Sequence, residues 1–228
     1  MINPRRAALQ LFCFMAAFFV VWTIRATWVY SIDESIASPT GRAAYSNLLK
    51  LTLWVLPAVA FARWLRDTPP AAYLGLSVVP DHRSRWWCFV VTAVFLLVVA
   101  LVELTVGGKS FSAARLSSLS VGSGLLQLLV SPLLEEILFR GLVMKELLTL
   151  LPTSLANALT SLLFVGAHLP FWLSHGGPSP AMLANATGVF LFSVVAGWLL
   201  AKSASVWPPT LAHVANNLLS SLLVVSKV

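Results

Sequence analysis

The sequence predicts an all-α polytopic membrane protein, a bundle of about seven transmembrane helices folded as one domain over residues 1–228. Three observations carry that reading. The 228 residues are 58 % hydrophobic and 10 % charged, where soluble domains carry about 25 % charged residues. Seven runs approach the roughly 20 apolar residues that a spanning helix needs. No polar stretch is long enough to enclose a separate soluble core.

The runs are Ala7–Tyr30, Ala43–Trp64, Trp86–Val106, Gly122–Leu150, Thr153–Leu173, Ala181–Ala201 and Thr210–Ser226. The second is interrupted by Lys50 and Pro57. The first lacks a small-residue cleavage site before the Trp, Arg and Tyr that follow it, so it reads as a retained helix rather than a leader. Residues 7–110 thus form an N-terminal group of helices, and residues 121–226 form the half that carries the polar motifs. Ser193, Gly197 and Ala201, each four apart, read as a stripe that lets another helix approach closely. Cys13 and Cys88 lie in or beside apolar runs and read as small hydrophobes rather than a disulfide.

The formal charge is +7, but the Lys and Arg residues flank the apolar runs, where they anchor helices and set orientation. No nucleic-acid partner is implied; the bilayer is. With the N-terminus inside, the inner side holds Arg5, Arg6, Arg63, Arg66, Arg83, Arg85, Lys145 and Lys202, and the outer side Arg25, Arg42, Lys50, Lys109, Arg115 and Lys227. That excess places the N-terminus in the cytoplasm of what reads as a bacterial inner membrane protein.

A charge at the centre of a membrane helix costs about 2.5–3.5 kcal/mol on insertion scales, so each intramembrane ionisable group is a candidate functional residue. In "SPLLEEILFRGLV" (131–143), Glu136 and Arg140 are four apart in the favourable order of acid before base. Glu135 is turned about 100° away, so the spacing predicts one paired glutamate and one free. A free carboxylate in a low-dielectric cavity is a candidate general base. Pro132 predicts a bend beside the doublet. If the following helices form a hairpin centred near Leu151, Glu135 and His168 come level, and Phe164 lies one turn before His168 on the same face. His213 and Asn217 share a face of the last helix. His213 is about one turn from the inner end, so a common site requires the hairpin tip, polar through Lys145, Glu146, Thr149, Thr153, Ser154 and Asn157, to project beyond the inner surface. The site is then expected in the inner half of the membrane, open to cytoplasmic water. His82 and His175 read as solvated loop residues, and Asp33, Glu34 and Glu103 as helix-end charges.

Taken together, Glu135-Glu136-Ile-Leu-Phe-Arg140, Phe164-Val-Gly-Ala-His168 and His213-Val-Ala-Asn-Asn217 resemble the EExxxR, FxxxH and HxxxN motifs, in order, of the CAAX prenyl protease and bacteriocin-processing family (CPBP, or Abi). The resemblance covers about the last half of the chain. It implies a polytopic glutamate-dependent endopeptidase with its active site within the membrane. In that family pattern Glu135 and His168 activate a water, His213 and Asn217 stabilise the oxyanion, and Glu136 holds Arg140. A membrane-associated protein or peptide is the implied substrate. No cofactor is expected. The alternative is a zinc ion held by Glu135, His168 and His213, a His₂Glu set of the kind some hydrolases use, although the chain has no HExxH. Two other readings compete: a non-proteolytic immunity factor or scaffold of the same fold, and a proton-relaying transporter. The second lacks the inverted repeats usual in that class.

Overall fold

The computed structural model describes residues 3–112 and 121–225; Arg115, Ser226 and Lys227 lie outside the described residues. Among those described there are seven long helical runs: α1 (Pro4–Ser35), α2 (Pro39–Leu65), α3 (His82–Thr105), α4 (121–148), α5 (Thr153–His175), α6 (Pro180–Ser203) and α7 (Trp207–Leu222). Each matches one expected run. Five of them, α1, α2, α3, α5 and α6, are long and apolar enough to cross a membrane. α4 carries the charges that set it apart, and α7 has 16 residues.

Local sequence explains the helix starts. Asn3, Ser38, Asp81 and Ser179 each place a side-chain oxygen on a backbone N–H of the first turn, satisfying one of the orphan donors there. Proline follows directly in three of these, at Pro4, Pro39 and Pro180, where its missing N–H costs nothing. Inside the spans, Pro57 and Pro132 each follow a five-residue π-helical turn, Leu51–Val55 and Leu126–Val130. A proline within a helix removes one hydrogen bond and crowds the carbonyl four residues back. The wider turn relieves that crowding, so the expected disturbance beside the glutamates takes this form. A longer π segment, Ile137–Met144, follows them.

The chain threads up and down, which gives the bundle two distinct ends. At the first end, which includes the N-terminus, the α4–α5 hairpin tip is exposed at Thr149, Thr153 and Ser154 but not at Glu146. Glu146 is buried and bound in two-pronged fashion by Arg66, Nε to Oε1 at 2.7 Å and Nη2 to Oε2 at 2.5 Å. Tyr73 donates its hydroxyl to the same Oε1. Burial, and then the hydrogen bond to Glu146, push the Tyr73 phenol above its ordinary range, so it stays a neutral donor. Lys145 donates to the Tyr73 carbonyl at 2.9 Å, and Arg66 reaches Gln10 of α1 at 2.7 Å. The segment between α2 and α3 therefore lies over the hairpin. Gly141 permits this: a Cβ there would stand 2.8 Å from the Leu74 carbonyl oxygen. Of the polar tip expected from sequence, Thr149, Thr153 and Ser154 are exposed, and the departure is Glu146, because a buried carboxylate needs charged partners and the 66–81 segment supplies them.

At the second end, Lys109–Phe111 (β1) and Leu223–Val225 (β2) pair antiparallel, Lys109 opposite Val225 and Phe111 opposite Leu223. Here the seventh helix stops short of the expected Ser226. The ladder satisfies backbone groups at the bundle's edge that a fraying helix end would leave open.

α3 is apolar on every side and buries Cys88 among its residues, as befits a lipid-facing helix. The packed centre lies between α1, α2, α4 and α5, where Phe18, Trp22, Trp54, Phe139 and Phe164 meet mostly edge to face. Trp22 ties α1 to α5 through Nε1 and the Ala167 carbonyl at 2.8 Å. Gly197 of the small-residue stripe faces Asn157 so closely that a Cβ would stand 1.9 Å from its Oδ1, which is the close approach that spacing predicts. Ser193 does more than pack, as shown below.

Glu146→Gln is expected to lower stability by about 3–5 kcal/mol, since it strands the Arg66 guanidinium. Thermal unfolding in detergent checks this, with the exposed Glu34→Gln as the control that leaves the midpoint unchanged.

Candidate active site

Four helices meet around the glutamate doublet. Glu136 is fully buried. One of its oxygens, Oε2, lies 3.1 Å from Arg140 Nε, and the other, Oε1, lies 2.8 Å from His213 Nδ1. The pairing expected from the i, i+4 spacing is present. Arg140 is fully buried too, and α6 completes its surroundings: Nη2 donates to Ser193 Oγ at 2.7 Å and to the Ser193 carbonyl at 3.1 Å. Its guanidinium stands 4.6 Å from the Phe164 ring centroid.

Glu135 is not the unpaired carboxylate that the spacing predicted. Lys50 of α2 places Nζ 2.5 Å from Oε1, and Ser131 Oγ lies 3.2 Å from the same oxygen. Lys50 Nζ also reaches Ser131 Oγ at 2.5 Å. The correction has a plain cause. A carboxylate in a medium of low dielectric draws in whatever cation the packing can bring, and the partner is 85 residues away in sequence. The signal was present in the sequence as a lysine amid "NLLKLTLWVLP", read there as a flaw in the second helix rather than as a site residue.

His213 bridges the two carboxylates, with Nε2 3.9 Å from Glu135 Oε2. Arg140 keeps Glu136 an acceptor, so Nδ1 of His213 carries the proton of their hydrogen bond. Two carboxylates and two cations then balance with His213 neutral. Phe192 and Phe164 flank its ring, at centroid distances of 4.7 and 6.0 Å.

His168 holds its Nδ1 against the Phe164 carbonyl of its own helix at 2.8 Å. A carbonyl only accepts, so Nδ1 bears a proton and Nε2 of the neutral ring is left with a free lone pair. Phe164 is thereby the hub of the site: its carbonyl fixes the His168 tautomer and its ring touches Phe139, His168, His213 and Arg140. Glu135 and His168 line one cavity of about 490 Å³, in keeping with their equal distances from the hairpin turn. Asn217 is half-buried, one turn beyond His213, and makes no hydrogen bond among the described residues. It is the one motif residue that the structure does not join to the others.

The cavity runs the opposite way from the sequence expectation. From Glu135 and His168 it extends past Trp22, Asn47 and Trp172 to Tyr30 and Arg42, where α1 and α5 end and α2 begins. Its mouth is at the second end of the bundle, away from the N-terminus and the hairpin tip. Asp33, read from sequence as a helix-end charge, lies in its wall in a buried ion pair with Arg25.

The residues do not fit the zinc alternative as they stand. Among the described residues no three His, Cys, Asp or Glu side chains converge as a cation site requires.

Residues 117–219 match the family described as "Type II CAAX prenyl endopeptidase Rce1-like", a peptidase family and the one the three motifs resemble. None of the curated proteins and none of the solved structures matches the chain.

Two outcomes follow from this geometry. Glu136→Gln is expected to cost about 3–5 kcal/mol by stranding Arg140, measured as thermal unfolding in detergent. In a background lacking Cys13 and Cys88, Ser46→Cys in the cavity wall and Ser174→Cys are expected to react with an impermeant thiol reagent from one side of the membrane, and Ser154→Cys from the other. Labelling of Ser46→Cys from the Ser154 side would place the mouth at the wrong end.

Proposed function

We propose, taking the match of residues 117–219 to the Rce1-like peptidases as premise, that the protein is an intramembrane endopeptidase. It hydrolyses a peptide bond of a membrane-associated protein or peptide. The observation that carries this reading is the meeting of Glu135 and His168, a carboxylate and an imidazole with a free Nε2, in the wall of one cavity. A water held between them loses a proton to this pair as its oxygen attacks the substrate carbonyl carbon. The proton taken from the water passes from Glu135 to Nε2 of His213, and the carbonyl oxygen, now the oxyanion, accepts from that Nε2–H and from the Asn217 amide. Nδ1 of His213 is engaged by Glu136, so the neutral ring has no second proton to give. When the tetrahedral intermediate collapses, the C–N bond breaks and the proton taken from water passes to the leaving amine. The chemistry asks for no serine or cysteine nucleophile, and neither residue type occurs within the three motifs.

With the N-terminus inside, the orientation favoured by the basic residues, the cavity mouth faces outward. That supports trimming of exported, membrane-anchored proteins over processing of cytoplasmic ones. The labelling experiment above, performed on intact cells, decides the orientation: Ser174→Cys is expected to label from outside.

Glu135→Gln is expected to abolish cleavage by removing the base and to leave the protein folded, at a smaller cost than Glu136→Gln, because the Lys50 ammonium it strands lines the cavity whereas Arg140 is fully buried. Comparing the membrane proteins and their termini in cells carrying wild type and Glu135→Gln tests this and identifies the substrate. A cleavage product that persists in the variant would remove Glu135 from the mechanism, and a non-proteolytic scaffold would show no difference in termini at all. Cleavage is also expected to survive prolonged chelation, with no stoichiometric zinc found by elemental analysis.

A further inference from the structure

α2 contributes a residue to this site from outside the family-matched segment. Lys50 stands 11 residues from the start of α2 and 15 from its end, near the middle of a span, where an ammonium costs about 2.5–3.5 kcal/mol to insert. Among the described residues its hydrogen bonds go to Glu135 and to Ser131, itself bonded to Glu135. An ammonium can only donate, so Ser131 Oγ accepts from Lys50 and its own hydroxyl proton is turned toward Glu135 Oε1. Oε1 therefore receives two hydrogen bonds from one side, Lys50 at 2.5 Å and Ser131 at 3.2 Å. Oε2 is left as the oxygen beside His213 Nε2. Lys50 Nζ also stands 5.4 Å from the Trp54 ring centroid, which fixes the ammonium from behind.

We propose that Lys50 is a positioning residue of the hydrolytic site: with Ser131 it engages Oε1 of Glu135, keeps the carboxylate charged, and leaves Oε2 to face the reacting water. The proposal rests on the endopeptidase reading. Without the ammonium, a carboxylate buried here is driven to take up a proton and is free to rotate about its terminal torsion, and both changes remove it as a base. A helix-to-helix clamp alone would need neither the charge nor the Ser131 relay.

The test uses the full-length protein in liposomes and a fluorogenic peptide spanning the cleavage site found by the comparison of termini. Lys50→Met is expected to lower kcat by about 10²-fold, as loss of alignment at a reacting group does, while KM changes less than about twofold, since Lys50 touches Glu135 and not the substrate. Methylammonium is expected to restore part of the kcat of Lys50→Ala by entering the space left in the cavity wall. Lys50→Arg is expected to stay within about tenfold of wild type, because its guanidinium restores the charge and a donor. Should Lys50→Met fail to fold, Lys50→Arg and Lys50→Gln decide: an active arginine variant beside an inactive, folded glutamine variant upholds the role, and equal activity in both overturns it. Wild-type kcat in Lys50→Met, or a loss that appears in KM alone, also overturns it. Glu135→Gln run in parallel separates the two claims. If that variant cleaves, the reading of Glu135 as base falls; if it is inactive while Lys50→Met is unimpaired, the positioning role falls alone.

Discussion

The structure depends on one constraint: a charge held within the bilayer must find its counter-charge inside the protein. Here the solution is a line of alternating groups, Lys50, Glu135, His213, Glu136, Arg140 and Ser193, drawn from α2, α4, α7 and α6. Hydrophobic attraction between helices is absent in lipid, so this line and the aromatic contacts at the centre are what specify which helices are neighbours. The two proline-linked π turns belong to the same solution. One follows Lys50 directly and the other directly precedes Ser131, so the loosened stretches of α2 and α4 flank the place where the two helices exchange charge.

The same requirement makes the bundle asymmetric along its axis. Glu146 is as deeply buried as the site glutamates, yet its partners Arg66 and Tyr73 come from a connecting segment. At the other end the buried Arg25–Asp33 pair sits in the wall of the cavity and leaves its centre open. The two ends thus differ in where each buried carboxylate obtains its cation.

Much of this was legible in the sequence, and the division is physical. Helix number and approximate limits follow from the length of apolar runs, because a bilayer fixes span length. The Glu136–Arg140 pair follows from helical periodicity, and the levelling of Glu135 with His168 follows from equal rise on two sides of a short turn. These are local properties. Lys50 and Glu135 are 85 residues apart, and no periodicity links them; the lysine was visible, but its partner was not. The direction of the cavity was misjudged for a related reason. Lys145, Glu146 and Thr149 look solvated by composition, and the burial of Glu146 against the 66–81 segment is a tertiary fact. The small-residue stripe gave the close contact at Gly197, while the hydrogen bonds of Ser193 to Arg140 required the geometry of α4 as well.

His213 is where the structural and the reactive halves of this network meet. Its Nδ1 proton belongs to Glu136, whose ionised form is held by Arg140, so the state of the imidazole is read out at Nε2 alone. In the resting site two carboxylates face two cations and a neutral ring completes the balance. A tetrahedral intermediate adds one negative charge beside Glu135, in surroundings where an uncompensated charge is most costly. The proton taken from the water, passed on to His213, restores neutrality and supplies at Nε2 the donor that the oxyanion needs. Glu136 is therefore more than the partner that makes Arg140 tolerable. By taking Nδ1–H it aims the variable proton of His213 toward the reacting carboxylate, and it stabilises the charged ring at the step when that charge is required.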